Sequence, residues 1–410
     1  MSRAYRVSGC VITEHELEVP LDHANPDGRT VTVFARAVAA DDEKTRPYLV
    51  FFQGGPGSES PRPILPLQPA FGKRALEDYT LLLLDQRGTG RSTPVGTLPG
   101  LSPEEQAEYL THHRADAIVR DAEAFREHLG ADRWSVLGQS FGGFCVTCYL
   151  SLAPEGLREA FITAGLPPLR RPTEDVYRET YAILRDRVAK FYARYPEDRD
   201  RLRRVFELVE TNDVHTPSGD RLTVNRLRHL GNLLGMSTGA ERLHYILERP
   251  PHSPGFLHEV DSPMGFARNP LYAIVHEACY ADACVTNWAA ERVMPDDFRE
   301  DPTLLAGEML YPWVFDEYGA LAPLRDAAEI LAQHEWPALY DPDVLADNEV
   351  RAAAAIWVHD MYVPRVFSEE TAGRIKGLRP WITNEFEHDG LRKAPDRVLG
   401  RLIDLASGRD

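Results

Sequence analysis

The chain has 410 residues, of which 43% are hydrophobic and 27% charged, and its formal net charge is −17. That balance suits a soluble globular protein with a sizeable core. The acidic excess excludes a general affinity for nucleic acid or anionic membrane, since both are polyanions.

No apolar run approaches the ~18 residues of a membrane span. The N-terminus "MSRAYRVSGCVITEHELEVP" lacks the apolar stretch of a signal peptide. The five cysteines are odd in number and show no framework spacing, which favours a reducing cytoplasm. Cys145 and Cys148 form a C-x-x-C inside the apolar stretch "FCVTCYLSLA", where small core residues are expected in place of a redox pair.

In chain order, residues 5–40 include alternating stretches such as "TVTVFARAV", which predict antiparallel strands at one edge of a sheet. Four short apolar runs follow, each ending in turn chemistry. "PYLVFF" runs into "QGGPGS", "YTLLLLD" into "QRGTGRS", "RWSVLG" into Ser140, and "AFITAG" into "LPPLRRP". Runs of this length and texture suit strands buried on both faces. An amphipathic helix stopping at Gly130 and the helical "FGGFCVTCYLSLAP" separate some of them. The alternation implies a mostly parallel sheet with helices on both faces.

From about Arg171 to about Asn348 the patterns are helical, as in "VYRETYAILRDRVAKFYARY", "DRDRLRRVFELVE" and "TVNRLRHLGNLLG". Strand texture returns with "AAAAIWVHD" and "RPWITNE". The expected organisation is an α/β core over 1–170 and 349–410, with an all-helical cap over 171–348.

The chemistry centres on "VLGQSFGG". The pattern G-x-S-x-G would arise by chance in roughly one chain in seven of this length at average usage. It carries mechanism only on a strand–turn–helix, and here "WSVLG" and "FGGFCVTCYLSL" supply the strand and the helix. Ser140 is thus the candidate nucleophile. The N–H of Phe141 and a second N–H from "FFQGGPGS", with Gly55 preferred and Gly54 next, are the candidate oxyanion donors.

A carboxylate and a histidine should follow in that order. Asp360 ends a late strand, and His388 follows the next one, leaving room for one helix and one strand between them. His359 competes for the base role, but it precedes the Asp and would point to the other face. Asp389 reads as a solvated neighbour. Asp85 and Arg87 in "DQRGTGRS" read as parts of a structural loop with internal ion pairs and tight glycines.

"GGPG", "DQRGTGRS" and "GQSFGG", in this order ahead of a helical insertion, resemble the prolyl aminopeptidase (proline iminopeptidase) family of α/β-hydrolases. "PLYAIVHEACYAD", "GEMLYPWVFDEY" and "VHDMYVP" resemble its longer bacterial branch, so the likeness runs from about Cys10 to His388. The resemblance implies an α/β-hydrolase fold with a helical cap, release of N-terminal proline from peptides, and no metal or organic cofactor. The family usually has His before the first Gly of "GGPG", where this chain has Gln53. That His is not the triad base, so the change is expected to tune the loop without abolishing catalysis.

The resemblance also assigns Glu277 and Glu308 as carboxylates for the cationic proline terminus. Each lies in an apolar and aromatic segment, where an unpaired carboxylate is costly and a cation would relieve it. A Glu paired with Arg, or one capping a helix, is the other reading. Phe141, Tyr280, Trp288, Tyr311 and Trp313 are candidates for a proline pocket, although aromatics at helical spacing also serve as core.

The alternatives are an esterase or lactonase with the same triad, and a non-catalytic binding protein on the same fold. An epoxide hydrolase is disfavoured, because that chemistry wants a carboxylate nucleophile where Ser140 stands.

Overall fold

The computed structural model describes residues 3–409 except 8, 43, 65–68 and 262–264. Nine strands form one sheet: β1 (Arg3–Val7), β2 (Cys10–Pro20), β3 (Thr30–Ala40), β4 (Tyr48–Phe52), β5 (Thr80–Asp85), β6 (Trp134–Gln139), β7 (Leu157–Thr163), β8 (Arg351–Trp357) and β9 (Arg379–Thr383). Their spatial order is β1-β2-β3-β5-β4-β6-β7-β8-β9. The first three strands and the β3–β5 pairing are antiparallel, which is the edge expected from the alternating N-terminal stretch. From β5 to β9 every pairing is parallel.

Alternate side chains of the central strands enter two cores. Val50 and Phe52 of β4 and Leu82 and Leu84 of β5 lie in one. Their neighbours Leu49, Phe51, Leu81 and Leu83 lie in the other, with Val398, Leu399 and Leu402 of the C-terminal helix Pro395–Ala406. Both faces are therefore covered by apolar groups, which explains why these strands are continuously hydrophobic.

The helices of the first part are α1 (Gly72–Asp78), α2 (Pro103–Thr111), α3 (Ala115–His128) and α4 (Phe141–Leu152). Ser102 and Glu105 close a reciprocal cap at the start of α2, with Glu105 N donating to Ser102 Oγ at 3.2 Å and Ser102 N to Glu105 Oε2 at 2.7 Å. The helix expected to stop at Gly130 is α3, and Gly130 has φ +65° just beyond it. Cys145 and Cys148 are fully buried and free within α4.

Between β7 and β8 the chain is helical, beginning with the long α5 (Thr173–Arg194). Loops join these helices, and among the described residues the only β pairing there is the isolated bridge His215–Arg221. "TVNRLRHLGNLLG" is not one helix but a short one, Val224–Arg228, continuing as a 3₁₀ segment, His229–Gly235. No helix among the described residues is long and apolar enough to cross a membrane.

The chain leaves β4 toward β5 on one side, whereas β6 adds on the other side of β4. The loops after β4 and β6 thus flank the point where the strand order reverses, the crevice where such sheets hold ligands. Backbone crowding marks the same point. A Cβ on Gly142 would sit 1.9 Å from the carbonyl oxygen of Phe52. Gly142→Ala should cost about 3 kcal/mol or more of stability. Gly373→Ala, on the exposed face of the helix Arg365–Arg374 with nothing within 4 Å of the new methyl, should gain about 0.5–1 kcal/mol. Denaturant unfolding of the two variants checks both signs.

Candidate active site

Ser140 stands on the turn between β6 and α4 with φ +57° and ψ −127°, a backbone conformation that costs a non-glycine residue energy. The turn is held from both sides. Ser140 N donates to Thr163 O at 3.0 Å, and Gly143 N donates to Ser140 O at 2.7 Å. A Cβ on Gly143 would meet Gly165 O at 2.4 Å, so α4 lies tight against the end of β7. Phe141 opens α4, where backbone N–H groups lack helical acceptors.

The glycine loop after β4 reaches this serine. A Cβ on Gly54 would stand 3.0 Å from Ser140 Cβ. Gly55 is the next residue, and its own nearest neighbours are Gly57 N and Ser58. The Gln53 carbonyl accepts from Gln86 Nε2 at 3.0 Å, tying the loop to the one after β5. Asp85 and Arg87 do stabilise that second loop, but their ion-pair partners lie outside it. Asp85 pairs with Arg62 at 2.6 Å, and the buried Arg87 pairs with Asp121 at 2.6 Å. The expectation of internal ion pairs is corrected accordingly.

Asp360 follows β8 and His388 follows β9, at the same carboxyl edge of the sheet as Ser140. His388 Nδ1 lies 2.8 Å from Asp360 Oδ2 and 3.0 Å from Oδ1. Asp360 Oδ1 also accepts from Tyr362 N at 2.9 Å and Val363 N at 3.0 Å. The carboxylate is thus oriented by backbone and can hold the imidazole in one tautomer. Burial pulls the His388 pKa down, but the charge and hydrogen bond of Asp360, with the charge of Glu308, outweigh it and leave it above its ordinary 6.5. The competitor His359 is exposed. Among the described residues Ser140 Oγ has no hydrogen-bond partner, and such contacts commonly tighten only when substrate binds.

Asp389 is not a solvated neighbour. It is buried at 7% exposure, and its Oδ1 accepts from the backbone N and the hydroxyl of Ser237. Sequence adjacency to His388 hides this, because the partner is 152 residues away in the chain.

The two candidate carboxylates occupy different surroundings. Glu308 accepts from Tyr272 OH at 2.6 Å and lies 3.7 Å from His276 Nε2, with 19% of its side chain exposed. Burial works against its charge, but His276 and Tyr272 outweigh it and hold the pKa below 4.5, so the group is ionised at neutral pH. Glu277 is 6% exposed, and both its oxygens are engaged, by Ala290 N at 2.9 Å and Ala289 N at 3.3 Å. It therefore meets the start of the short helix Ala289–Arg292. Burial pushes its pKa up to about 7 against those hydrogen bonds.

Of the aromatic candidates, Phe141 and Tyr280 both flank Phe144, at ring distances of 6.4 and 5.6 Å. Tyr280 OH donates to Tyr362 O at 3.3 Å, next to Asp360. Tyr311 and Trp313 instead stack on each other and pack against His229, and Trp288 packs on Phe315 while donating to Glu329. Among the described residues these three make no hydrogen bond or ring contact with Phe141, Tyr280, Asp360 or His388. Tyr362, Tyr272 and His276 were invisible to motif reasoning as site residues, although all three fall inside stretches that carry the family resemblance.

The glycine loop also touches the helical insertion, since a Cβ on Gly57 would stand 2.7 Å from Tyr272 N. Ser140, Asp360 and His388 are 9, 2 and 5% exposed, so the site is covered. A groove of ≈ 800 Å³ lined by Arg133, Glu155, Asp347 and Arg351 opens at the opposite end of the sheet, where β7 and β8 begin.

A serine on a strained strand–helix elbow, with an Asp–His pair on the same edge of a parallel sheet, defines an α/β-hydrolase architecture. The alpha/beta hydrolase fold model matches residues 47–213. The chain is 43% identical over 421 aligned residues to a proline iminopeptidase of Aeromonas sobria, covering 98% of each chain. It is 33% identical to a proline iminopeptidase of Aspergillus aculeatus, over 98% of this chain and 94% of that one. The chain belongs to the proline iminopeptidase family.

A raised His388 pKa sets the sign of one pH effect. For His388 as the general base proposed below, which must be neutral, kcat/KM should fall as pH drops through a value above 6.5. Asp360→Asn should move that limb downward and cut kcat by roughly 10³–10⁴. Glu277 gives a second sign. Its folded-state pKa is raised, so its contribution to stability is fully present below about 4.5 and is lost as pH rises toward 7. Glu277→Gln should therefore gain stability relative to the parent between those values, by on the order of 1–3 kcal/mol, in thermal melts across pH.

Proposed function

We propose that the protein is a serine aminopeptidase that releases N-terminal proline from peptides through an acyl-enzyme on Ser140. The observation that carries this reading is the Asp360–His388 pair with the carboxylate of Glu308, hydrogen-bonded by Tyr272 and acting on His388 through its charge, in a chain 43% identical to a proline iminopeptidase. His388 takes the proton of Ser140 as the hydroxyl attacks the carbonyl carbon of the terminal proline. Asp360 keeps Nδ1 protonated and stabilises the imidazolium that forms. The N–H groups of Phe141 and Gly55, with Gly54 as the nearer glycine to the serine, stabilise the oxyanion. Protonated His388 then passes its proton to the leaving amine. Water, deprotonated by the same histidine, attacks the ester carbon and frees proline and Ser140.

The proline imino group is a cation at neutral pH. Glu308 receives it by a charge-assisted hydrogen bond, whereas the oxygens of Glu277 are already occupied by the backbone N–H groups of Ala289 and Ala290. Phe141 and Tyr280 are the best-placed candidates for the wall of the ring pocket, ahead of Trp288, Tyr311 and Trp313. We divide the chain into a core over 1–170 and 349–410 and a helical cap over 171–348 that covers the serine. The proposed reaction needs no metal or organic cofactor, and the five free cysteines suit a reducing cytoplasm.

Ser140→Ala should lower hydrolysis of a proline anilide by roughly 10³–10⁶ with no change in the circular dichroism spectrum. Glu308→Gln should lower kcat/KM on that anilide by about 10–100-fold and leave an N-acylated proline ester within about twofold. Equal losses on both substrates would instead favour a general esterase.

A further inference from the structure

Three consecutive residues carry the base, and the helical insertion holds each of them. Arg187 of α5 donates to Glu387 Oε1 at 2.9 Å and also bonds Glu387 Oε2 and the carbonyl of His359. The carbonyl of Gly235 accepts from His388 N at 3.3 Å. Ser237 donates to Asp389 Oδ1 from its backbone N at 3.2 Å and from its hydroxyl. A fourth tie reaches the histidine through its ring. Tyr362 packs edge-on against His388, with centroids 4.7 Å apart at 85°. The Tyr362 hydroxyl donates to the carbonyl of Asn232, and a Cβ on Gly235 would stand 2.3 Å from the same ring.

We propose that Arg187 and the segment Asn232–Ser237 are positioning elements for His388, so that the base is aligned only while the insertion is seated on the core. Asp360 fixes one edge of the imidazole, which leaves its tilt about that bond free. Tyr362 against one side of the ring, the backbone hydrogen bond of His388 and the side-chain ties of Glu387 and Asp389 remove that freedom. None of these groups touches the substrate in the proposed reaction, so their effect is on alignment, where small displacements change rates strongly. The role rests on the reading of Ser140 and His388 as nucleophile and base. It differs from a simple lid, whose ties would govern access and not the chemistry behind it.

The test uses the full chain with Ser237→Ala and Arg187→Gln, singly and combined. Steady-state kinetics on a proline anilide are read beside the rate at which a small phosphonylating reagent modifies Ser140, a step that needs the base but little of the substrate pocket. The combined variant should lower kcat about tenfold, hold KM within about twofold, and slow phosphonylation by a similar factor. Ser237→Thr, which restores a hydroxyl, should recover most of the loss due to Ser237→Ala. Phosphonylation that stays unchanged or becomes faster, with kcat intact, would overturn the positioning role and leave only a lid. If Arg187→Gln fails to fold, Ser237→Ala and Ser237→Thr decide alone, since Ser237 is exposed and the change removes one hydroxyl. A parent enzyme that the reagent does not modify at Ser140 would overturn the serine-hydrolase reading itself, and this role with it.

Discussion

The structure turns on how closely three backbone segments meet at Ser140. The serine is held at φ +57° between β6 and α4. Phe52 O at the end of β4 faces the Cα of Gly142, and Gly165 after β7 packs on Gly143. Side chains at those glycines would drive the strands apart. Without them the loops after β4, β6 and β7 converge, and the hydroxyl is lifted beside a glycine loop at the point where strand order reverses. Conformational cost is concentrated at one residue and supported by hydrogen bonds on both sides, the arrangement expected of a strained residue that persists in a fold.

Charge is ordered around that point. Asp360 is immobilised by two backbone N–H groups and the histidine. Glu308 is held ionised by Tyr272 and His276, and its field reaches His388. Asp360 by contact and Glu308 by its charge raise the basicity of the imidazole. Glu277 lies differently, buried with its oxygens satisfied by the start of a short helix. The acidic excess across the chain is thus not spread evenly in its effects: Asp360 and Glu308 act on the His388 imidazole, whereas Glu277 binds the start of a helix.

Much of the fold is legible from texture alone. Apolar runs that end in turns become parallel strands, the alternating N-terminal stretch becomes an antiparallel edge, and the helical block sits between β7 and β8. Ser140, Asp360 and His388 can be singled out as candidates because order along the chain and position at strand ends constrain them, and the structure sets all three at one edge of the sheet. The rest is illegible for a physical reason, since it depends on pairings between distant segments. Asp389 looks solvated until Ser237 is seen above it. Arg187 meets Glu387 across 200 residues. Glu277 and Glu308 look alike in sequence, and only tertiary packing gives one of them backbone donors and the other a tyrosine and a histidine. "TVNRLRHLGNLLG" has helical periodicity, but glycines at 231 and 235 pack against Ala306 O and the Tyr362 ring, and the segment runs as 3₁₀ where it meets the histidine loop.

The central claim is that Ser140 is acylated by a substrate whose free imino terminus is read by a carboxylate. Its most direct measurement is peptide-level mass spectrometry after treatment with a phosphonate ester built on proline, beside the same reagent acetylated on nitrogen. A single adduct is expected on the peptide containing Ser140, formed far faster with the free secondary amine than with the acetylated form. An adduct at another residue, no adduct, or equal rates for the two reagents would contradict it.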